Sequence, residues 1–359
     1  MAWGAGGIAC RGWRCIRDIP VPQPGDTEVL VKIMAAAVNP LDNMIIRGEV
    51  KLITPYKMPL VMGNEFAGIV EKTGKNVTRF TAGDRVYGRM PLKKIGAFAQ
   101  YAAVEESALA TIPEYLSYEQ AATVPLTALT AMQAFDVMHV AAGETVFISG
   151  GTGSLGAMAI PVAKSLGLHV VTNGSGSNEE RVRQLGAERF IDYKKENYVD
   201  VLSNVDHVLD TLGDRELPNE FNVLKEGGSL VSLRGMPNGR FAKRSGMPAW
   251  KRLLFSIAGR KYDRMAAAKG QTYDFLFVHE DGRQLEAIGR LFDKDHPLET
   301  SIDTVYTLEQ VNEALAKVKQ GKSKGKTIIA IGQQATPALV AADQRPQSVA
   351  GRPLVTTVD

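Results

Sequence analysis

The sequence predicts an α/β protein in two parts, one β-rich and one doubly wound, on three observations. Residues 17–122 are punctuated by Pro and Gly and alternate β-branched with polar residues, as in Glu28-Val29-Leu30-Val31-Lys32-Ile33 and Gly68-Ile69-Val70-Glu71-Lys72. Period-two alternation gives strands with one wet face, hence a twisted, mostly antiparallel or barrel-like unit. Across residues 123–278 short apolar strands alternate with helical stretches, which specifies a parallel sheet covered on both faces. A Gly-rich turn at 151–156 lies between the first of those strands and its helix.

Taken in order, the second unit opens with a strand at 145–149, the Gly-rich turn and a helix ending near Gly167. Strands are expected at 169–172, 190–192, 207–210, 230–233 and 275–278, with a helix at 179–185. Beyond Glu280 come amphipathic helices at 283–292 and 308–319 and a last strand at 326–331. Residues after Gly332 lack periodicity and read as a disordered tail. Met1 to Trp13 is Gly/Ala-rich, without the basic and apolar regions of a signal peptide. There are no internal repeats.

At 359 residues, 45% hydrophobic and 23% charged, the chain can bury a core in each of two domains. No apolar run approaches the roughly 18–20 residues that span a bilayer. A net charge of +3 is too mild to argue for nucleic acid. Two cysteines, Cys10 and Cys15, make no disulfide framework, which points to a reducing, cytoplasmic setting. With that spacing and five scattered histidines, no metal site is expected.

Gly151-Thr152-Gly153-Ser154-Leu155-Gly156 fits G-x-G-x-x-G between a strand and a helix, the context that makes the pattern specific. Glycines allow a tight turn and close approach to a pyrophosphate, and the helix N-terminus offers it free N–H groups. At the end of the next strand a site for NAD usually places Asp or Glu. Here Thr172-Asn173-Gly174-Ser175-Gly176-Ser177-Asn178 has no carboxylate before Glu179, and Arg181 follows in the helix. Hydroxyls, amides and a guanidinium suit a 2′-phosphate, so NADPH is favoured over NADH.

With these residues in view, the chain resembles the zinc-independent quinone-oxidoreductase branch of the medium-chain dehydrogenase/reductase superfamily over about residues 17–332. The resemblance is carried by Ala37-Val38-Asn39-Pro40-Leu41-Asp42, Gly63-Asn64-Glu65-Phe66-Ala67-Gly68, Gly83-Asp84-Arg85-Val86-Tyr87-Gly88, Pro125-Leu126-Thr127-Ala128-Leu129-Thr130-Ala131, the Gly-rich turn and Leu185-Gly186-Ala187. It implies a discontinuous GroES-like catalytic domain, 1–122 plus 279–332, around a Rossmann cofactor domain, 123–278, leaving 333–359 as tail. It also implies a homodimer, since family members often pair through the edge strands of their cofactor domains. Zinc-dependent relatives hold their metal with Cys and His near positions 39 and 64. Amides stand there in this chain, and amides are poor zinc ligands.

The implied chemistry is hydride transfer from NADPH to a quinone or an α,β-unsaturated carbonyl, with the protein positioning the partners and excluding water. A 2-enoyl thioester reductase and an NADPH-binding redox sensor or interaction protein without useful turnover are the alternatives. By resemblance Asn39, Asp42 and Asn64 line the cleft beneath the nicotinamide. Tyr56 and Tyr87 are candidate donors, with a structural tyrosine the alternative for each. Thr127 and Thr130 lie near the nicotinamide and its phosphate, and Ser175, Ser177, Asn178 and Tyr193 form the 2′-phosphate pocket. Leu212, Leu233, Arg234, Gly235, Phe275, Leu276 and Phe277 line the adenosine and nicotinamide ribose, and Lys326 follows Gly325 in a segment returning to the cofactor. The cationic stretch 240–269, interspersed with Trp250, Leu253, Leu254, Phe255 and Ile257, reads either as a cap over the cofactor cleft or as a membrane-surface helix.

Overall fold

The computed structural model describes residues 5–8, 16–293, 295, 297–298, 300–321, 323 and 325–332. Both cysteines and the expected tail, 333–359, lie outside them. Strands β1 (Ala5–Ile8) and β2 (Ile16–Ile19) form an antiparallel pair. β3 (Glu28–Val38), β4 (Glu65–Thr73), β5 (Arg85–Arg89), β6 (Tyr101–Glu105) and β7 (Leu109–Thr111) then build a largely antiparallel sheet. β3 runs past the alternating 28–33 segment through Ala35-Ala36-Ala37, which pair with β4. Alanine has little strand preference of its own, so ladder partners and burial hold this part. Helix α1 (Pro40–Arg47) follows, with Asn39 and Asp42 forming its capping box and Gly48 closing it in the left-handed region.

α2 (Tyr118–Ala122) and α3 (Pro125–Met138) lead into the second unit, and α3 is buried over most of its surface. The chain then alternates: β8 (Thr145–Ser149), α4 (Ser154–Ser165), β9 (His169–Gly174), α5 (Glu179–Gln184), β10 (Arg189–Asp192), α6 (Tyr198–Val201), β11 (Val205–Asp210), α7 (Leu217–Val223) and β12 (Leu224–Ser232). Three short helices, α8 (Gly239–Arg244), α9 (Ala249–Ala258) and α10 (Arg260–Ala267), precede β13 (Thr272–Phe275). These six strands are parallel in the order β10-β9-β8-β11-β12-β13. The order reverses at β8 and β11, and ligands of such sheets bind outside the strand ends at that point.

The sixth strand falls three residues earlier than the 275–278 expected from its apolar run. Phe275 ends the strand, and Leu276, Phe277 and Val278 leave the sheet to fill cores beside it. The strand proper contains Asp274, buried and paired with Arg240 and Arg244, which hides its character from a hydrophobicity pattern.

After α11 (Gly282–Leu291) the chain returns to the first sheet. β14 (Ile302–Thr307) pairs parallel with β15 (Lys326–Ala330), α12 (Val311–Gln320) joins the two, and β15 pairs antiparallel with β3. β14 was not expected from the sequence. Each of its residues is half-buried, so it carries no in–out alternation. One core includes Ala35, Tyr87 and Leu285 together with Val146, Leu209 and Val231, so it joins the two sheets. No described helix is long and apolar enough to cross a membrane.

Candidate active site

The three motif glycines have different surroundings. A Cβ on Gly151 would lie 2.0 Å from Thr172 Oγ1, and one on Gly156 would lie 2.0 Å from the Gly151 carbonyl oxygen. The first therefore lets the turn cross β9, and the third lets α4 pack on the turn. Thr172 Oγ1 accepts from Gly151 N–H at 3.1 Å, and Asn173 Oδ1 accepts from Gly150 N–H at 2.7 Å, bracing the turn from β9. Gly153 is different, because a Cβ there would meet only the Gly150 oxygen, at 3.8 Å. It is the N-cap of α4 and supplies no side-chain cap, so first-turn N–H groups face the cleft without one.

Thr152, Gly153 and Ser154 line a cleft with Ala157 and Met158 of α4, Thr123 and Thr127, and Arg181 of α5. Ser301, Ser323, Gly325 and Lys326 close it from the side of the first sheet. Six hydroxyl side chains and two cations line it, and no carboxylate does among the described residues. This suits an anion. The structure thus brings Thr127, Thr152, Gly153, Ser154, Arg181 and Lys326 together. Thr123, Ser301 and Ser323 were missed. Ser301 precedes the unexpected β14 and Ser323 stands between two lysines in the sequence, so neither carried a local signal.

Behind Lys326 lies a buried polar network. Its Nζ donates to Glu65 Oε1 at 2.6 Å and to Asn39 Oδ1 at 2.7 Å. Asn39 Nδ2 also donates to Glu65 Oε1 at 2.8 Å, and Leu126 N–H donates to Glu65 Oε2 at 2.6 Å. Asp42 accepts from Asn39 N–H at 2.8 Å and from Asn64 Nδ2 at 2.7 Å. Burial pushes the Asp42 carboxyl up to about 7, against the pull of those two donors. Asn39, Asp42 and Asn64 are buried, so they sit beneath the cleft rather than on its lining, and only Lys326 reaches it.

The donor set does not fit a zinc ion. The positions corresponding to the family's metal ligands are amides whose N–H groups are committed to Glu65 and Asp42. No cluster of three His, Cys, Asp or Glu able to hold a metal occurs among the described residues.

Neither candidate tyrosine is presented as a donor. Tyr87 is a core residue whose hydroxyl donates to Leu285 O at 3.2 Å, and burial pushes its pKa up. Tyr56 donates to Ile45 O, its hydroxyl committed to the backbone of α1. Thr130 donates to Leu126 O at 2.6 Å one turn beyond Thr127 and is outside the lining. Ser175 and Ser177 face each other at 3.3 Å between β9 and α5, beside Asn178, and Tyr193 is exposed after β10. Folding also brings a carboxylate to this loop, since a Cβ on Gly176 would lie 2.4 Å from Asp192 Oδ2. Asp192 accepts from Lys194 N–H at 3.1 Å and lies 3.9 Å from Lys195 Nζ.

Leu155 lies half-buried in the first turn of α4. Leu212 is exposed at the end of β11, next to Gly150. Leu233, Arg234 and Gly235 follow β12, with Gly235 tight against Tyr273 Oη. Phe275 stacks edge-on against Phe241 at 5.1 Å, Leu276 lies in the shared core and Phe277 is half-buried between two cores. The side chains of Phe275 and Leu276 serve packing, which corrects their reading as lining residues.

Known proteins match this architecture. Residues 25–114 match the alcohol dehydrogenase GroES-like domain family, and residues 185–329 match the family described as zinc-binding dehydrogenase. The chain is 36% identical over 264 residues to 2-methylene-furan-3-one reductase of Solanum lycopersicum, covering 70% of this chain and 67% of that one. It is 34% identical over 264 residues to the chloroplastic NADPH-dependent alkenal/one oxidoreductase of Arabidopsis thaliana, covering 70% and 68%. The solved quinone oxidoreductase of Coxiella burnetii superposes with a TM-score of 0.75 at 26% identity, covering 91% and 98%. With the GroES-like and doubly wound units meeting at a dinucleotide-type turn, the chain belongs to the quinone-oxidoreductase branch of the medium-chain dehydrogenase/reductase superfamily.

Proposed function

We propose that this chain reduces quinones or α,β-unsaturated carbonyl compounds with NADPH and without a metal ion. The observation that carries the reading is the cleft: an uncapped helix N-terminus, an open Gly153, six hydroxyls and two cations, with no carboxylate among the described lining residues. In this reading Gly151 and Gly156 shape the turn, while Thr152, Gly153, Ser154 and Leu155 hold the pyrophosphate. Ser175, Ser177, Asn178, Arg181 and Tyr193 hold the 2′-phosphate. Asp192, already engaged by Lys194 N–H and near Lys195, weakens their preference rather than reversing it. Leu212, Leu233, Arg234, Gly235 and Phe277 flank the ribose groups.

When bound, the reduced nicotinamide supplies the hydride. The chain contributes orientation, a water-poor cleft and charge. Lys326 lines the cleft with its ammonium held by Glu65 and Asn39, and in this reading that fixed cation stabilises charge that develops on an acceptor oxygen. A discontinuous catalytic domain (1–122 with 279–332), a homodimeric state and a cytoplasmic setting belong to the same proposal.

The test is loss of the reduced-nicotinamide absorbance with NADPH or NADH and a panel of quinones, alkenals and enoyl thioesters. Turnover of a quinone or alkenal with NADPH preferred is the expected result. Turnover confined to thioesters moves the assignment to an enoyl reductase, and tight NADPH binding without turnover moves it to a sensor.

A further inference from the structure

The segment between β12 and β13 carries a surface that reduction in the cleft does not use. Helix α9 buries only Phe255. Trp250, Leu253, Leu254 and Ile257 are 60, 65, 41 and 64% exposed. Their spacing of three, four and seven residues places them in one stripe, and at about 100° per residue Phe255 lies on the opposite side. The apolar stripe therefore points away from the protein. Single exposed apolar residues are ordinary, whereas a contiguous stripe marks an interaction surface.

The segment that carries that stripe is cationic. Residues 240–269 contain nine Lys or Arg and one carboxylate, Asp263. Arg240 and Arg244 are spent on Asp274, and Asp263 is held by Asn238. Lys251, Arg252, Arg260, Lys261 and Arg264 form no ion pair with a carboxylate among the described residues. Lys251 reaches Leu52 O and Arg252 the Met247 carbonyl; at about 100° per residue both bracket Phe255 on the protein side and fix the helix beside the 50–56 loop, whereas Arg260, Lys261 and Arg264 of α10 are exposed.

We propose that α9 docks this protein onto an anionic lipid surface, with Trp250, Leu253, Leu254 and Ile257 entering the headgroup boundary and the exposed Arg260, Lys261 and Arg264 of α10 meeting lipid charge. Trp, Leu and Ile on one face with Lys and Arg beside it is the composition of helices that lie in that boundary. At ten residues, about 15 Å, α9 is far too short to span the bilayer. A second copy of the chain is the poorer occupant. A two-fold contact sets the same patch against itself, bringing the exposed Arg260, Lys261 and Arg264 towards their own equivalents at a like-charge cost.

The experiment is co-sedimentation of the full chain with phosphatidylcholine vesicles, alone or with about one-third phosphatidylserine. The parent is expected to sediment with the anionic vesicles, to stay in solution with the neutral ones, and to be released by salt. Leu253→Ser with Ile257→Ser should lower the partition coefficient at least tenfold, by removing most of the apolar insertion. Arg260→Gln with Arg264→Gln should lower it about fivefold per charge. All four side chains lie outside the cleft lining, so far-UV circular dichroism and quinone turnover serve as fold controls. Absence of anionic-vesicle binding, or equal binding by parent and Ser variant, overturns the proposal. A parent that binds no vesicle and is a dimer made monomeric by the Ser variant overturns it in favour of self-association.

Discussion

Two glycines three residues apart should fail in opposite ways when replaced by alanine. At Gly156 the new Cβ would sit 2.0 Å from the Gly151 oxygen, where ordinary contact begins at 3.4 Å. α4 must then move off the turn by more than an ångström, an overpacking cost of about 1–3 kcal/mol or more against two backbone segments. At Gly153 the Cβ meets nothing closer than 3.8 Å, and φ of −81° is ordinary for alanine. Stability should fall by no more than about 1 kcal/mol, the N-cap preference lost. The methyl group instead stands where a pyrophosphate would approach the backbone. Losing one charge-assisted hydrogen bond costs about 1.5–3 kcal/mol, or roughly ten- to hundredfold in Kd. Urea unfolding without nucleotide and fluorescence titration with NADPH separate the two effects. If Gly153→Ala binds NADPH within about twofold of the parent, the turn does not cradle the pyrophosphate and the cofactor argument fails.

Lys326→Met should destabilise by about 3–5 kcal/mol, because it strands the buried Glu65 carboxylate, while adding Glu65→Gln should recover part of that loss; a double-mutant cycle by urea unfolding with no coupling would contradict this. Asp42 has a folded-state carboxyl near 7 against 3.8 when free, so its protonated form stabilises the fold fully below about 3.8, and that contribution is lost as pH rises through about 7. Relative to Asp42→Asn, the parent should therefore lose stability between those limits and run parallel above them, which pH-dependent unfolding reads directly. Arg181→Gln should cut the preference for NADPH over NADH about tenfold through KM, leaving kcat with NADH nearly unchanged; an unaltered preference would remove Arg181 from the 2′-phosphate site.

The dinucleotide turn and the strand–helix alternation around it were determined by the sequence alone. Glycines in a tight turn, short apolar strands and the missing carboxylate at the end of β9 act over a few residues, and neighbours in the chain impose them. The Cys-to-amide exchange at position 39, and its counterpart at 64, argue against zinc in the same local way. What only the tertiary structure decided depends on groups far apart in the chain. Asn39, Asp42, Asn64, Glu65 and Lys326 come from two strands, the residue before one of them and a helix N-terminus, and no spacing announces that Lys326 alone among them reaches the cleft. Tyr87 looks like any candidate donor until Leu285, 198 residues on, takes its hydroxyl. β13 was misplaced because Arg240 and Arg244 neutralise its Asp274 from a separate helix. Asp192 reaches the serine loop only because β10 lies beside β9. Local patterns specify the backbone wherever burial repeats with the period of the element, whereas a polar site is specified by partners that only the closed fold brings within hydrogen-bond range.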